Sequence, residues 1–447
     1  MGKQQKSNTM AIGFMLFALF FGAGNLIFPV MMGQLSGTNS WEAAAGFIVT
    51  GVGLPLLGVL AFGFSGKSDL HSLASRVHPI FGVVFTTVLY LAIGPLFAIP
   101  RTGSVSYEVG IKPLLGETNS AIPLLLFTIV FFAVTCFFSL NAAKLVDIVG
   151  KILTPLLLIF IAILIVVAVV NPMGDFSAPT ETYMESSFFK GFQEGYLTMD
   201  TLAAFVFGII VINAIRDRGA TTRKELMTGT VKAGLIAAVL LAIIYAALTY
   251  IGAASVGELG YLENGGAVLA GISQHYFGSF GAVLLGLIVI AACLTTSIGL
   301  VSACASYFNK MVPAISYKGF AIILSVISAI FANVGLMELI SISVPVLTML
   351  YPLAICLIFL TFVHNLFKGR REVYIVSLSL TFIVSLFDGL SAAGITVDAV
   401  SNVFLNYLPL YSVGLGWLLP AIIGAFIGYA LSLTSKGQTD GYLVPEE

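Results

Sequence analysis

The sequence predicts an all-α polytopic membrane protein of twelve transmembrane helices, ten of them in two five-helix halves and two more toward the C-terminus. Three observations carry this. Of 447 residues, 58% are hydrophobic and only 9% charged, with a mean hydropathy of +1.04, whereas a soluble domain carries about 25% charged residues. Apolar runs of the length that crosses hydrocarbon, about 20 residues, recur from end to end. Finally, lysines and arginines collect in alternate loops. Without a charged exterior, so much apolar surface requires lipid as its solvent.

The first run, 9–33, follows Lys3 and Lys6 and superficially imitates a signal peptide. It continues to about Met32 without an A-x-A cleavage site, so it reads as a retained first helix. Runs 42–64 and 79–113 follow; the latter is long and interrupted by Gly94, Pro95 and Pro100, which suits a tilted helix or one with an irregular end. Runs 121–140 and 146–170 complete the first half, and the 171–187 loop, rich in Pro, Asp, Ser and Thr, marks the boundary. The second half comprises 188–215, 229–254, 279–308, 317–334 and 336–364. The last two runs are 373–388, the shortest, and 408–433.

Positive residues stay on the cytoplasmic side of a membrane, which tests this division. With the N-terminus inside, seventeen of the twenty Lys and Arg fall in cytoplasmic segments: Lys3, Lys6, Lys67, Arg76, Lys144, Lys151, Arg216, Arg218, Arg223, Lys224, Lys232, Lys310, Lys318, Lys368, Arg370, Arg371 and Lys436. Arg101, Lys112 and Lys190 fall outside, where Asp175, Glu181, Glu185, Glu258 and Glu263 collect. A miscounted span would scramble this split. It places both termini in the cytoplasm, with the lipid bilayer as surroundings.

Several functions are excluded by what is missing. The net charge is −1 and the basic residues are scattered, unlike the clustered basic footprint of a nucleic-acid binder. Cys136, Cys293, Cys304 and Cys356 sit in apolar runs without CxxC spacing, so neither a disulfide framework nor a zinc site is expected. His71, His78, His275 and His364 lie at or near loops and far apart. No convergent set of catalytic groups is apparent, so an enzyme is not expected, nor is an obligatory protein partner or a resident cofactor.

Chemistry is expected where membrane helices are broken, because backbone groups freed near the midplane can bind charged ligands. The first span reads FFGAGNLIFPV, with Gly22, Gly24 and Asn25 before Pro29. Glycine there removes bulk and helical preference, and the freed N–H groups at a half-helix start suit a carboxylate; the competing reading is close helix packing by small residues. The sixth span carries Asp200 near its middle, flanked by Gly195, Thr198 and Thr201. An intramembrane carboxylate is a functional candidate by default: it can bind a coupling cation, hold a substrate ammonium or carry a proton, or else serve only as a structural partner. In the eighth span AACLTTSIGL supplies Thr295, Thr296 and Ser297, hard oxygens that suit Na⁺ but also bond readily to their own backbone. At the end of the third span Arg101 and Glu108, seven residues apart, are spaced to pair as a gate or as a solvated interface pair.

The segments FGAGNLIFP, GPLFAIPRT and LTTSIGL, with the length and span number, resemble the branched-chain amino acid:cation symporters, the BrnQ-type carriers of bacteria, over essentially the whole chain. That family is similar in architecture to sodium symporters with a five-plus-five inverted repeat. The resemblance implies a single transporter domain over 1–447, with one repeat at about 9–170, an inverted second at about 188–364 and accessory helices at about 373–433. It implies import of leucine, isoleucine and valine coupled to Na⁺ by alternating access. It also implies a sodium site from the carbonyls of Ala18, Phe21 and Ala292 and the hydroxyls of Thr295 and Thr296, with the substrate carboxylate against the N–H groups of Ala23 and Gly24 beside Asn25. Asp200 has no clear counterpart in those symporters, and Tyr90 is a candidate hydroxyl for the carboxylate. A carrier of another neutral solute coupled to H⁺, with Asp200 titrating, is the alternative.

Overall fold

The computed structural model describes residues 3–67, 69–115, 121–140, 154–217 and 219–434. Lys144, Lys151, Arg218 and Lys436 of the charge split, and the start of the fifth predicted span, lie outside them. Among the described residues the elements are helices, with no strand. The first predicted span is α1 (Lys3–Phe20) and α2 (Ala23–Ser36); the second is α3 (Ser40–Ile48) and α4 (Leu54–Ser65), joined by a π turn at Val49–Gly53. After the short α5 (Leu70–Ala74), the third is α6 (Pro79–Leu91) and α7 (Ala98–Gly110). Then come α8 (Lys112–Leu115), α9 (Ile122–Ser139) and α10 (Thr154–Val170). The sixth span is α11 (Ser187–Glu194) and α12 (Asp200–Arg216), and α13 (Arg223–Ala254) is the seventh. The rest are α14 (Val256–Leu259), α15 (Gly265–Met311), α16 (Tyr317–Ala332), α17 (Leu336–Phe362), α18 (Arg371–Ala392), α19 (Asp398–Tyr407) and α20 (Leu418–Thr434).

The exterior is what a bilayer solvates. Phe137, Val170, Phe280 and Phe426 are 66%, 80%, 77% and 72% exposed, which water would penalise by roughly 25 cal/mol per Å² of apolar surface. By length and hydropathy, seven described helical segments are able to cross a membrane, or eight if the pair Ser187–Thr198 and Asp200–Arg216, bent by 48°, is one span. Thr9–Phe20, Leu158–Val170, Tyr317–Ala332 and Leu418–Thr434 are apolar but shorter. The twelve-span reading counts such shorter helices as spans too.

Local chemistry explains where the helices stop. The long α13 begins with a reciprocal cap, in which the Glu225 N–H donates to Thr222 Oγ1 at 3.2 Å and the Thr222 N–H to Glu225 Oε2 at 3.2 Å. The third span departs from expectation: its irregularity is central, a π turn at Ala92–Leu96 with Gly94 at φ −94°, ψ −125°, because Pro95 has no N–H to continue the ladder. The last run is also corrected. Helix α20 starts only at Leu418, and the segment before it holds the separate α19. Pro409 favours an extended Leu408, at φ −103° and ψ 112°, and Leu410 and Gly414 have positive φ, so no continuous helix spans 408–417.

Glycines let the two halves of the chain approach backbone to backbone. A Cβ at Gly33 in α2 would lie 2.1 Å from the Thr249 carbonyl oxygen of α13, and one at Gly252 would lie 2.1 Å from that of Val30. Only glycine fits there, and this contact fixes α2, which carries the first helix break, against the second half of the chain.

Candidate functional site

Helix α1 ends at Phe20, and the chain passes through Phe21 and an extended Gly22 (φ −115°, ψ −163°) before α2 restarts at Ala23. Asn25 stabilises the restart: its Oδ1 accepts the Gly22 N–H at 3.0 Å. The other N–H groups of that first turn have no intrahelical acceptor and form the positive end of the helix.

The sixth span breaks beside it. A 3₁₀ turn, Gly195–Thr198, ends at Met199, whose φ of 61° reverses the chain before Asp200 opens α12. A non-glycine residue there is uncommon and marks a backbone held by its surroundings. Thr198 secures the turn by donating its hydroxyl to the Gly195 carbonyl at 2.9 Å and accepting the Asp200 N–H at 3.3 Å.

The two breaks are joined. Asn25 Nδ2 donates to Asp200 Oδ2 at 2.5 Å and also contacts Tyr245 Oη of α13, which donates to the same Asp200 oxygen at 3.2 Å. Asp200 and Tyr245 are 3% and 1% exposed, so this carboxylate is held by hydrogen bonds deep in the membrane domain. Tyr245 lies in an apolar helix where nothing in the sequence distinguishes it from a packing aromatic.

The eighth span closes the site. A Cβ on Gly22 would sit 3.5 Å from Thr296 Oγ1, so the first break lies directly against the hydroxyl cluster. The Thr295 and Thr296 hydroxyls both donate to the Ala292 carbonyl, at 2.7 and 3.2 Å, the back-bonding available to any helical threonine. Ala23, Gly24, Asn25, Thr198, Asp200 and Thr296 line one cavity, open on one side. Ala18 in α1, Phe21 in the break, and Ala292 and Thr295 in α15 are not among its lining residues. Tyr90 is elsewhere, stacked on Tyr307 at 4.1 Å between ring centroids. No group of His, Cys, Asp and Glu suited to a metal is found among the described residues.

Arg101 is the residue the sequence misplaced. Glu108 pairs instead with Lys112 at 2.9 Å, whereas Arg101, only 2% exposed, turns into the domain and lines the cavity. Its guanidinium donates to the Leu197 carbonyl of the sixth-span break and to Ser343 Oγ of α17, the latter at 3.1 Å, and lies 5.0 Å from the centre of the Phe28 ring. The signal was legible only as an arginine inside the predicted third span, which is costly unless it faces the protein interior.

A sequence profile of the family described as "Branched-chain amino acid transport protein" matches residues 5–435. The chain is 60% identical over 431 residues to the branched-chain amino acid permease BrnQ of Bacillus subtilis (strain 168), covering 96% of this chain and 98% of that protein. It is 44% identical over 414 residues to the BrnQ permease of Escherichia coli (strain K12), covering 93% of each. Among solved structures it resembles Mhp1, a nucleobase-cation-symport-1 family transporter in a closed conformation with bromovinylhydantoin bound, at a TM-score of 0.63 and 13% identity over 95% of this chain and 92% of that one. It also resembles MhsT in complex with L-phenylalanine, at a TM-score of 0.57 and 17% identity over 95% and 98%. At those identities the structural likeness speaks to fold alone.

Proposed function

We propose that this chain, which belongs to the branched-chain amino acid transport protein family, is a multi-pass carrier of the bacterial inner membrane that imports leucine, isoleucine and valine with Na⁺ by alternating access. Its relatives are named as branched-chain amino acid permeases, not as enzymes. The observation that carries the reading is the meeting of two helix breaks and the Thr296 hydroxyl around one cavity. An amino acid brings a carboxylate, an ammonium and an apolar side chain. In this reading the start of α2 at Ala23 and Gly24 takes the carboxylate, Asp200 and Thr198 face the ammonium, and apolar lining such as Phe20, Phe207 and Leu300 surrounds the side chain.

Na⁺ would be held by the Ala18, Phe21 and Ala292 carbonyls with Thr295 and Thr296, and the approach of Gly22 to Thr296 supports placing a cation at that seam. A cation beside the substrate carboxylate favours each ligand's binding in the presence of the other, which is the thermodynamic content of coupling. The two inverted halves, about 9–170 and 188–364, would rock around this fixed site. Proton coupling is the second reading, favoured by the buried Asn25–Asp200–Tyr245 network, where a carboxyl able to take up a proton is already hydrogen-bonded.

Uptake of radiolabelled leucine into proteoliposomes, with sodium and proton gradients imposed separately, decides between them. Accumulation driven by an inward Na⁺ gradient at equal pH is expected. Accumulation driven only by an inward proton gradient would move the coupling role to Asp200, and no accumulation with either gradient would defeat the substrate assignment.

A further inference from the structure

We propose that Arg101 is the charged anchor for the substrate carboxylate and that, with Asp200, it makes the cavity selective for zwitterions. The proposal rests on the amino-acid reading above and adds a residue which that reading does not use. Three observations lead to it. Arg101 is a buried cation lining the same cavity as Gly24, Asn25 and Asp200. No carboxylate lies within ion-pair distance of it among the described residues, and its partners, the Leu197 carbonyl and the Ser343 hydroxyl, are neutral, with its Nε–H lacking any acceptor. Asp200 likewise has only neutral partners, Asn25 and Tyr245, for its Oδ2.

A buried guanidinium without an anion is unfavourable unless an anion arrives during function. Here one cavity is lined by a guanidinium and a carboxyl group that are not paired with each other, and an amino acid carries the complementary carboxylate and ammonium. The geometry places Arg101 beside the start of α2. A Cβ on Gly24 would lie 3.1 Å from the Phe28 ring, over which Arg101 sits, and 3.5 Å from Thr198 Cα, next to the Leu197 carbonyl that Arg101 binds. A carboxylate at the Ala23 and Gly24 N–H groups would share the cavity with the guanidinium, whose Nε–H is still without an acceptor. The planar fork matches a carboxylate in a way that an ammonium does not.

The test compares leucine with leucinamide, which keeps the ammonium and side chain but has no carboxylate charge, as competitors of radiolabelled leucine binding to the purified full-length protein. Wild-type protein should bind leucinamide at least about tenfold more weakly, the scale of one charge-assisted hydrogen bond. Arg101→Met should weaken leucine binding about ten- to hundredfold while leaving leucinamide nearly unchanged, so that discrimination collapses; Arg101→Lys should fall between. Wild-type discrimination below tenfold overturns the proposal, and that reading needs no variant to fold. Equal weakening of both ligands in Arg101→Met and Arg101→Lys also overturns it, reducing Arg101 to a clamp between α7, Leu197 and α17. A wild-type protein that binds neither compound, yet is folded and monodisperse, would instead defeat the amino-acid reading itself.

Discussion

Asn25 and Asp200 are 175 positions apart in sequence, yet Asn25 Nδ2 lies 2.5 Å from Asp200 Oδ2. One amide thus caps the restart of the first span and holds the carboxylate that opens the second half of the sixth. The two residues act as a unit, so their substitutions should not add. Asn25→Ala and Asp200→Asn are each expected to weaken leucine binding at least about tenfold, or ~1.4 kcal/mol. The double variant should fall short of the sum by about 1 kcal/mol or more, because contacting sites couple on that scale. A binding cycle that adds within about 0.5 kcal/mol would show that the contact is incidental to the ligand.

Replacing both span-eight hydroxyls, Thr295→Ala with Thr296→Ala, should raise the Na⁺ concentration needed for half-maximal leucine uptake by about tenfold or more, with protein abundance little changed. The abundance follows from their bonding: each hydroxyl donates only to the Ala292 carbonyl of its own helix, a contact of little net stability. The Na⁺ dependence follows because an apolar helix has no solvent oxygens to replace lost ligands. Wild-type sodium dependence in the double variant would mean that the hydroxyls only fold back on their backbone.

Where hydropathy or backbone chemistry decides, the sequence was sufficient. The Gly22–Pro29 segment announces a break because glycine opposes helix; the break falls at Phe21–Gly22, at its start, while Pro29 lies inside the continuous α2. The hidden part is rotation. A helix that is apolar all round has no polar face to orient it, so the inward direction of Tyr245 had no signature. Arg101 lies in the polar stretch AIPRTGSVSYEVG, which resembles a helix end near the surface and suggested a pairing with Glu108; that carboxylate had a nearer cation, Lys112, four residues on. The long third run likewise hid a central π turn, because Pro95 after Gly94 signals a defect but not its depth.

Topology is testable through the same charges. Lys112 and Glu263, both expected outside, lie 3.9 Å apart at one end of the structure. Cysteines at positions 224 and 370 should react with an impermeant maleimide only from the cytoplasmic side, and one at 263 only from outside. Labelling of all three from outside in intact cells would sink the orientation and the span count with it.

The glycines of α2 separate a binding role from a packing role. At Gly33 and Gly252 a Cβ would lie 2.1 Å from a carbonyl oxygen of the facing helix, a clash with backbone that no side-chain rotation relieves. Gly252→Val should therefore cost at least about 2 kcal/mol through overpacking and lower the amount of folded protein in the membrane. Gly24 differs. Its Cβ would meet the Phe28 ring at 3.1 Å and Thr198 Cα at 3.5 Å, so an aromatic ring needs to yield only a few tenths of an ångström. Alanine would also gain about 1 kcal/mol of helix propensity over glycine, so Gly24→Ala should leave folded protein in the membrane. What the methyl group takes is space at the start of α2, where the carboxylate would approach the N–H groups; Gly24→Val takes more and also stiffens the turn. Both variants should lose leucine binding and uptake, valine more completely, while detergent-extracted protein elutes as wild type does. If Gly24→Val transports leucine with normal affinity, the GAGN segment is a packing motif and the carboxylate must bind elsewhere in the cavity.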